Sequence, residues 1–363
     1  MAMNLSPPSD PFAPHQSAAL LDAFSSRKIL IVGDVMLDEY LWGDVRRICP
    51  EAPVPIVESR ERSARPGGAA NAAANVAALG GTAWLCGVTG NDQAGEHLRR
   101  ALAEAGVEPD GLIACDDRPT TAKLRVIAHS QQVLRIDTEK THPLSRDAAD
   151  RLIAHVESHM READALLLCD YAKGALSAEM TGHFIALARR RKLPVVVDPK
   201  GKDYSRYRGA TVIKPNLHEL ETLLRSRIRQ NSGLVPERDP ISGEFGYAAG
   251  EFGYAEAVGR LTCELDGAAV LVTQGAEGMT LFEPGIEPWH QPAAGVRPVF
   301  DVTGAGDTVV SVLALALACG APLRQGVQMA NVAANVVVGK LGTAVVTREE
   351  LRAAIGSPVG RPS

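Results

Sequence analysis

Asp301-Val302-Thr303-Gly304-Ala305-Gly306-Asp307-Thr308, followed directly by the apolar run Val309 to Cys319, is the stretch of sequence that decides the fold. It places two glycines and an alanine where a loop turns into a helix, whose unpaired N–H groups and positive potential suit an anion. Asp307 stands where it could accept the proton of an attacking hydroxyl. The stretch predicts a phosphoryl-transfer site; the alternative is an ordinary glycine-rich helix cap.

The same eight residues resemble the C-terminal signature of the ribokinase-like (PfkB) family of sugar and nucleoside kinases. The resemblance implies that Asp307 is the catalytic base and that the N–H groups of Gly304, Ala305 and Gly306 form the anion hole. It implies ATP as the phosphoryl donor and Mg²⁺ as the cofactor. Asp301 and Thr303 are further implied to help a monovalent cation, K⁺, to bind beside the anion hole.

Composition sets the class of protein. The chain has 363 residues, 45% of them hydrophobic, which is enough for one large α/β core with a small accessory element. Its net charge of −5 argues against a nucleic-acid partner. Six widely spaced cysteines without a C-x-x-C pair indicate reduced core residues in a cytoplasmic protein. Residues 1–18 lack the pattern of a signal peptide, and no apolar run is long enough for a membrane span.

Short apolar runs alternate with helical patterns along the chain. This alternation predicts an α/β fold, a mostly parallel sheet sandwiched by helices, with ligands bound beyond the carboxyl ends of the strands. The predicted strands are Lys28–Val32, Ala83–Gly87, Ala165–Cys169, Pro194–Asp198 and Ala268–Thr273, and the predicted helices are Ala69–Leu79, Ala94–Ala105, Ser145–Arg161, Ser177–Arg191 and Ala255–Leu265.

Two segments of extended-chain composition, about 40–60 and 120–137, break the alternation. They are either edge strands of the main sheet or a small β-sheet lid, and the family resemblance favours the lid. An exposed sheet of this kind tends to bury a face against a second copy, so we expect a homodimer through the lid.

The chain divides into a flexible N-terminal tail, 1–26, and one ribokinase-like kinase domain, 27–355. A seven-residue tandem duplication spans 243–256, within a polar stretch that predicts a mobile insertion over 231–254 without a catalytic role.

The sugar end of the site is expected from the first third of the chain. Asp34 closes the first strand, and Gly67, Gly68 and Asn71 open a helix in a segment that resembles the family's N-terminal signature, so that an acid and an amide could bind vicinal hydroxyls. Asp170 follows another strand and is assigned to the same end. The alternative is that these are common scaffold turns. Neither a G-x-G-x-x-G motif after the first strand nor a P-loop motif is present.

The nucleotide end is expected from the second half. Asp198, Lys200 and Asn331 are assigned to it, and Val272–Gly278 resembles the family's T-x-G-x-x-G pattern, which assigns Thr273, Gly275 and Gly278 to the nucleotide. Asn216 and Glu219 match an N-x-x-E motif that organises Mg²⁺ through water and phosphate. Structurally, the pair could instead cap the helix that starts there.

Further segments resemble the heptose 7-phosphate kinases within this family, which act in lipopolysaccharide precursor synthesis. The matching segments are Gly33-Asp-Val-Met-Leu-Asp-Glu-Tyr40, Pro50-Glu-Ala-Pro-Val-Pro55, Lys123-Leu-Arg-Val126, Asp170-Tyr-Ala-Lys-Gly174, Asp198-Pro-Lys-Gly201, Tyr207-Arg-Gly-Ala-Thr211 and Val338-Gly-Lys-Leu-Gly-Thr343. In many bacteria this kinase is fused to an adenylyltransferase domain with an H-x-G-H motif. The sequence has no such motif, so we expect the kinase activity alone.

A substrate that already carries a phosphate needs cations at the far end of its pocket, and Lys123, Arg125, Arg135 and Lys173 are the candidates. Basic residues on an edge strand also protect against aggregation, so these side chains could serve that purpose instead. The expected partners are a sugar phosphate and ATP. The rival functions are another ribokinase-like kinase or a non-catalytic sugar or nucleotide sensor.

Overall fold

The dominant feature of the fold is a nine-stranded sheet with helices on both faces. The computed structural model describes residues 14–129, 131–232, 237–238, 245–246, 254–295, 302–340 and 342–356. Asp301, residues 1–13 of the predicted tail and most of the 231–254 insertion, including nine of the 14 residues of its duplication, lie outside the described residues.

The strands are β1 (Lys28–Gly33), β2 (Val35–Ile48), β3 (Pro55–Gly68), β4 (Thr82–Gly90), β5 (Leu112–Cys115), β6 (Ala122–Ala128), β7 (Gln131–Thr138), β8 (Ala165–Cys169), β9 (Val195–Asp198), β10 (Val212–Ile213), β11 (Glu237–Arg238), β12 (Phe245–Gly246), β13 (Ala269–Thr273), β14 (Met279–Phe282) and β15 (Trp289–Gln291). The helices are α1 (Pro14–Ala23), α2 (Ala69–Ala78), α3 (Gln93–Glu104), α4 (Arg146–Met160), α5 (Ala178–Arg190), α6 (Leu217–Ser232), α7 (Tyr254–Glu264), α8 (Ala305–Ala318), α9 (Leu323–Val337) and α10 (Arg348–Gly356).

The main sheet has the order β15-β14-β13-β10-β9-β8-β1-β4-β5 and is parallel from β13 to β5. Strand β1 is buried on both faces. Ile29 and Ile31 join the apolar cluster under α2, α8 and α9, while Leu30 and Val32 join the cluster under α4 to α7. A strand covered on both sides has to be apolar throughout, which explains why β1 reads as a continuous hydrophobic run.

The order of strands reverses at β1. The chain runs from β1 through β4 to β5 on one side, and then returns to β8 and proceeds through β9 and β10 to β13 on the other. A crevice opens where neighbouring connections leave in opposite directions, beyond the carboxyl ends of the strands. The residues that follow β1, β8, β9 and β10 therefore meet at one place.

A separate four-stranded sheet, β3-β2-β6-β7, projects from the body; it is called the small sheet below. Its two hairpins are antiparallel, and β2 joins β6 in parallel. The two predicted segments thus form a sheet of their own and not edge strands of the main sheet. The small sheet is larger than predicted, since β2 begins at Val35 and β3 continues to Gly68.

The five predicted strands and five predicted helices are all present, with ends that differ by at most three residues. The sequence-based prediction lacked α1, which lies within the predicted tail, the short strands β5, β10, β11 and β12, the antiparallel pair β14 and β15, and the last two helices. It described the six cysteines as core residues: all six are unpaired, but only Cys86, Cys115 and Cys169 are buried, and Cys263 is exposed. Within the described residues, no helix combines the length and the apolar character that crossing a bilayer requires.

Candidate active site

Asp307 lies in the first turn of α8, at the floor of a cleft between the body and the small sheet. Gly304 precedes the helix in the left-handed region (φ 82°), a conformation that glycine adopts without strain. The Thr308 N–H closes the first turn on the Gly304 carbonyl at 3.0 Å. Helix geometry leaves the Gly306 and Asp307 N–H groups without intrahelical acceptors. The Ala305 N–H differs from the expectation, because it donates to the Val302 carbonyl at 3.3 Å.

The Asp307 carboxylate is buried and accepts two hydrogen bonds. The Asn71 amide donates to Oδ2 at 2.7 Å, and the Tyr171 hydroxyl donates to Oδ1. Burial, followed by the negative charge of Asp198, raises the pKa of Asp307 to about 7, while the two hydrogen bonds lower it. A carboxyl group with a pKa near neutrality is suited to exchange a proton with a substrate hydroxyl at physiological pH.

A buried ion pair lies beside the start of α8. The ammonium of Lys214, which follows β10, contacts the carboxylate of Asp198 at the end of β9 at 3.0 Å. A Cβ atom on Gly306 would lie 3.1 Å from Lys214 Nζ, so a larger residue there would crowd the ammonium. Burial raises the pKa of Asp198, and the surrounding carboxylates outweigh burial to raise that of Lys214. A fixed positive charge therefore adjoins the predicted anion hole.

Asp34 was expected to bind the sugar, but its carboxylate holds a loop. It accepts the backbone N–H groups of Tyr171, Lys173 and Ala175 at 2.8 to 3.0 Å, and it does not line the cleft. Asp38 lines the cleft instead. Asp34 directly precedes β2, and Asp38 lies four residues further along the chain, within the strand. The two carboxylates therefore stand at different depths of the crevice.

Asn71 also differs from the simple expectation of a sugar ligand. Its amide is directed to Asp307, and it belongs to a buried chain of hydrogen bonds in which Asn75 donates to the Asn71 carbonyl at 3.0 Å and accepts from the Thr308 hydroxyl at 3.0 Å. This network joins α2 to α8. It fixes the catalytic candidate relative to the glycine-opened helix, for which Gly68 supplies a φ of 57°.

The four basic candidates lie together around the small sheet and the loop after β8. Lys123 and Arg125 line the cleft, which confirms that their alternate positions on β6 place both on its inner side. Arg125 binds Asp38 at 2.5 Å and Lys123 binds Asp137 at 3.1 Å. Outside the lining, Arg135 binds Asp137 at 2.8 Å and Lys173 binds Glu139 at 2.7 Å. Each cation is therefore paired with a carboxylate of this chain.

Asn216 and Glu219 form a reciprocal cap at the start of α6. The Glu219 N–H donates to Asn216 Oδ1 at 2.8 Å, and the Asn216 N–H donates to Glu219 Oε2 at 3.0 Å. The helix-cap alternative is thus what the structure shows. Both residues nevertheless line the cleft, and the second carboxylate oxygen of Glu219 binds Lys200 at 2.7 Å.

The candidates for the nucleotide end fall into two groups. Asp198, Lys200 and Asn216 line the cleft, whereas Thr273, Gly275, Gly278 and Asn331 do not. Thr273 pairs with Asn216 through an isolated β-bridge, which connects the two groups. The Asn331 amide donates to the Pro292 carbonyl at 2.7 Å, and so it tethers the segment after β15.

The cleft lining includes side chains that the sequence analysis did not assign to the site. The lining consists of Met36, Asp38, Gly68, Lys123, Arg125, Asp170, Tyr171, Asp198, Pro199, Lys200, Lys214, Asn216, Glu219, Thr303, Gly304, Gly306, Asp307 and Thr343. Asp38, Tyr171 and Lys214 were missed. Asp38 and Tyr171 lie in segments quoted for the family resemblance, and Lys214 stands two residues before the N-x-x-E motif; those positions were the available signal.

The donor set can be tested for a metal ion. Among the described residues, no three His, Cys, Asp or Glu side chains converge in a ready-made metal cluster. Two carboxylates, Asp198 and Glu219, line the same cleft, and the charge of Glu219 helps to raise the pKa of Asp198. Few protein ligands beside a place for phosphate suit Mg²⁺, which keeps most of its water. The residues therefore fit this ion.

Comparison with known proteins defines the class. The family model described as pfkB family carbohydrate kinase matches residues 26–350. The chain belongs to this family, and it is a phosphotransferase that acts on a sugar hydroxyl. Arabidopsis thaliana ribokinase, complexed with ribose and ATP, superposes with a TM-score of 0.67 at 21% identity over 92% of this chain and 99% of that one. Escherichia coli phosphofructokinase-2 in complex with potassium superposes with a TM-score of 0.67 at 20% identity, over 91% of this chain and 97% of that one.

Relatives of higher identity narrow the class. The protein from Ectopseudomonas mendocina called bifunctional protein HldE is 46% identical over 335 residues, 92% of this chain and 65% of that protein. The protein of the same name from Azotobacter vinelandii is 48% identical over 332 residues, 92% of this chain and 64% of that protein. The chain therefore spans 64 to 65% of the length of these relatives.

Proposed function

We propose that this chain transfers the γ-phosphoryl group of MgATP to O1 of D-glycero-β-D-manno-heptose 7-phosphate and gives the 1,7-bisphosphate, a step in lipopolysaccharide precursor synthesis. The observation that carries the proposal is a single cleft lined both by a buried carboxyl group, Asp307 at the start of α8, and by two cations, Lys123 and Arg125 of β6. A cleft for heptose 7-phosphate has to place the O1 hydroxyl at the carboxyl group and the 7-phosphate at the cations.

The chemistry follows from the groups at the start of α8. Asp307 takes the proton of the O1 hydroxyl, the O1 oxygen forms a bond to the γ-phosphorus, and the bond from that phosphorus to the bridging oxygen of ADP breaks. The N–H groups of Gly306 and Asp307, with the Lys214 ammonium beside them, stabilise the charge on the transferred group. Asp38 would orient the sugar, and Gly68 would leave room for it, since both line the cleft. Asn71 holds the Asp307 carboxylate, and Gly67 makes room for the Asp38 carboxylate, with which a Cβ atom there would clash.

Mg²⁺, when bound, would neutralise charge on the ATP phosphates. Asp198, Asn216 and Glu219 are the residues that would hold it through water, and Lys200 would contact phosphate. Thr273, Gly275, Gly278 and Asn331 would form the nucleotide end. Thr303 lines the cleft, as a residue that assists a monovalent cation should; its partner in that role, Asp301, lies outside the described residues.

We test the acceptor by measuring ADP release from MgATP with heptose 7-phosphate, unphosphorylated heptose, ribose and fructose. The proposal predicts turnover confined to the 7-phosphate. Turnover on neutral sugars would retain the kinase and reject this substrate. Binding of ATP or sugar without ADP release, on a broader panel as well, would indicate a sensor.

The phosphate end is tested with Lys123→Gln. A hydrogen bond to a charged partner contributes about 1.5–3 kcal/mol, so KM for heptose 7-phosphate should rise about tenfold or more while kcat changes less. Lys192→Gln, which alters an exposed lysine at the end of α5, is the matched control. An unchanged KM in the Lys123 variant would contradict the assignment of this cation to the phosphate.

A further inference from the structure

Tyr171 stands out because the chemistry described above does not use it, although its hydroxyl contacts the central carboxylate. It follows β8 directly and is partly buried in the cleft wall. Its hydroxyl donates to Asp307 Oδ1, while the Asn71 amide takes the other oxygen. We propose that Tyr171 is a positioning residue that fixes the orientation of the Asp307 carboxylate and stabilises its ionised form, the form that acts as base.

The loop that carries Tyr171 is fixed from below by one carboxylate. Asp34 is 3% exposed, and it accepts the N–H groups of Tyr171, Lys173 and Ala175 at 2.8, 3.0 and 2.9 Å. Three hydrogen bonds to one carboxylate hold the loop more firmly than a single side-chain contact would. The position of the Tyr171 ring is therefore set by backbone contacts to the end of β1.

The backbone of the same loop is held in an unfavourable conformation. Ala172 has a φ of 56°, in the left-handed region that a residue with a side chain rarely occupies. Its N–H donates to Asp170 Oδ1 at 2.8 Å, and Arg118 donates to the neighbouring Lys173 carbonyl at 3.1 Å. These contacts on both sides of the loop offset the conformational cost at Ala172. The loop that they hold directs the Tyr171 hydroxyl at Asp307.

The charges around Asp307 explain why a donor is needed there. The titratable groups that face it are Tyr171 and Cys169 from β8 and its loop, Asp198 from β9 and Lys214 from the end of β10. Burial and Asp198 favour the protonated carboxyl, which cannot accept a proton from a substrate. Lys214 is already bound to Asp198. Tyr171 and Asn71 are the two groups that donate hydrogen bonds to the ionised form.

The inference rests on the proposed function for the meaning of the base, and its experiment does not depend on turnover. The protein is labelled with ¹³C at the aspartate side-chain carboxyls, and the Asp307 signal is identified by its loss in Asp307→Asn. In Tyr171→Phe the midpoint of the Asp307 titration should move upward by about one pH unit, because a hydrogen bond to an ionised group is worth about 1.5–3 kcal/mol and one pH unit is about 1.4 kcal/mol.

The pH profile of kcat/KM should show the same displacement: the acid limb of Tyr171→Phe moves to higher pH, and activity approaches that of the wild type in alkaline solution. Tyr207→Phe is the matched control, since the Tyr207 hydroxyl donates to Asp170 at 2.8 Å and not to Asp307. That variant should leave the Asp307 midpoint in place. If Tyr171→Phe does not fold, 3-fluorotyrosine at position 171, whose more acidic hydroxyl is a stronger donor, should move the midpoint downward.

An Asp307 midpoint that is the same in Tyr171→Phe or the fluorotyrosine protein as in the wild type would overturn the inference. A change confined to KM for the acceptor would also overturn it, because it would mean that the Tyr171 hydroxyl contacts the sugar and does not act on Asp307. Failure of the proposed function gives a different result, because a wild-type protein that does not phosphorylate heptose 7-phosphate can still show the shifted carboxyl titration.

Discussion

Asp307 shows how a functional group can cost stability. Its pKa is raised from 3.8 to about 7 by burial and by Asp198, so the folded protein binds a proton at this site more tightly than the unfolded chain. The stability that this proton provides is fully present below about pH 4 and is lost as the pH rises to about 7. Above pH 7 Asp307 is ionised, and its burial then lowers the free energy of unfolding by the full amount.

We therefore expect Asp307→Asn to be more stable than the wild type at pH 8, by up to a few kcal/mol at about 1.4 kcal/mol per pH unit, and to lose more than half of this advantage at pH 5. Denaturant unfolding of both proteins at the two pH values measures the difference. An advantage that is the same at both values would mean that the ionised Asp307 is not the cause.

At the residue scale, the sequence was sufficient to propose Asp307 as the candidate base, but it did not predict which side chains bind its carboxylate. Asp307 stands in a motif whose local chemistry can be read from eight adjacent residues. The contacts of Tyr171, Lys214 and Asn71 with their carboxylates join residues more than 15 positions apart and depend on the topology of the sheet. Asp34 and Asp38 illustrate the same limit, since both follow β1 and only the fold shows which carboxylate faces the cleft.

At the scale of elements, the loop after β8 is the part of the site whose position depends most on a single residue. Asp34→Ala removes the acceptor for three backbone N–H groups and should reduce stability by about 3 kcal/mol or more, because unpaired buried donors cost about 1–3 kcal/mol each. It should also reduce kcat through Tyr171. Unfolding curves and initial rates provide the two measurements.

Asp38→Asn is the comparison for that variant. Its carboxylate binds Arg125 on the neighbouring strand and lines the cleft, so its loss should affect mainly KM for the acceptor. A larger loss of stability in Asp38→Asn than in Asp34→Ala would contradict the assignment of Asp34 to the loop and of Asp38 to the acceptor.

Helices and parallel strands were predicted well because their signal is local. The five predicted helices carry apolar residues at helical spacing, and β1 and β8 are unbroken apolar runs between turns. The short strands β10, β14 and β15 have two to four residues each and are defined by their neighbours. Such strands have too few residues for a periodic pattern, which is why the sequence did not reveal them.

At the scale of the whole molecule, the small sheet carries exposed apolar side chains on its edge strand β7. Leu134 and Ile136, which alternate along β7, are 44% and 51% exposed, and their partners across the strand pair are Val126 and Leu124. We propose that this apolar face packs against a second copy of the chain, as the sequence analysis expected of an exposed sheet.

Ile136→Glu should therefore convert a dimer to a monomer, because a charge at the centre of an apolar interface is strongly unfavourable. Light scattering coupled to size-exclusion chromatography measures the mass. Ile286→Glu is the control, since Ile286 has the same exposure, 52%, on the turn after β14. A dimer that persists in the Ile136 variant, or a monomeric wild type, would reject this interface.

The central claim is that Asp307 removes the proton from the sugar hydroxyl, and it is tested most directly by ADP release from MgATP and heptose 7-phosphate with the wild type and Asp307→Asn. The account predicts that the substitution lowers kcat by about two to four orders of magnitude, the usual contribution of general base catalysis, while ATP still binds. An Asp307→Asn protein that turns over at a rate near that of the wild type would contradict it.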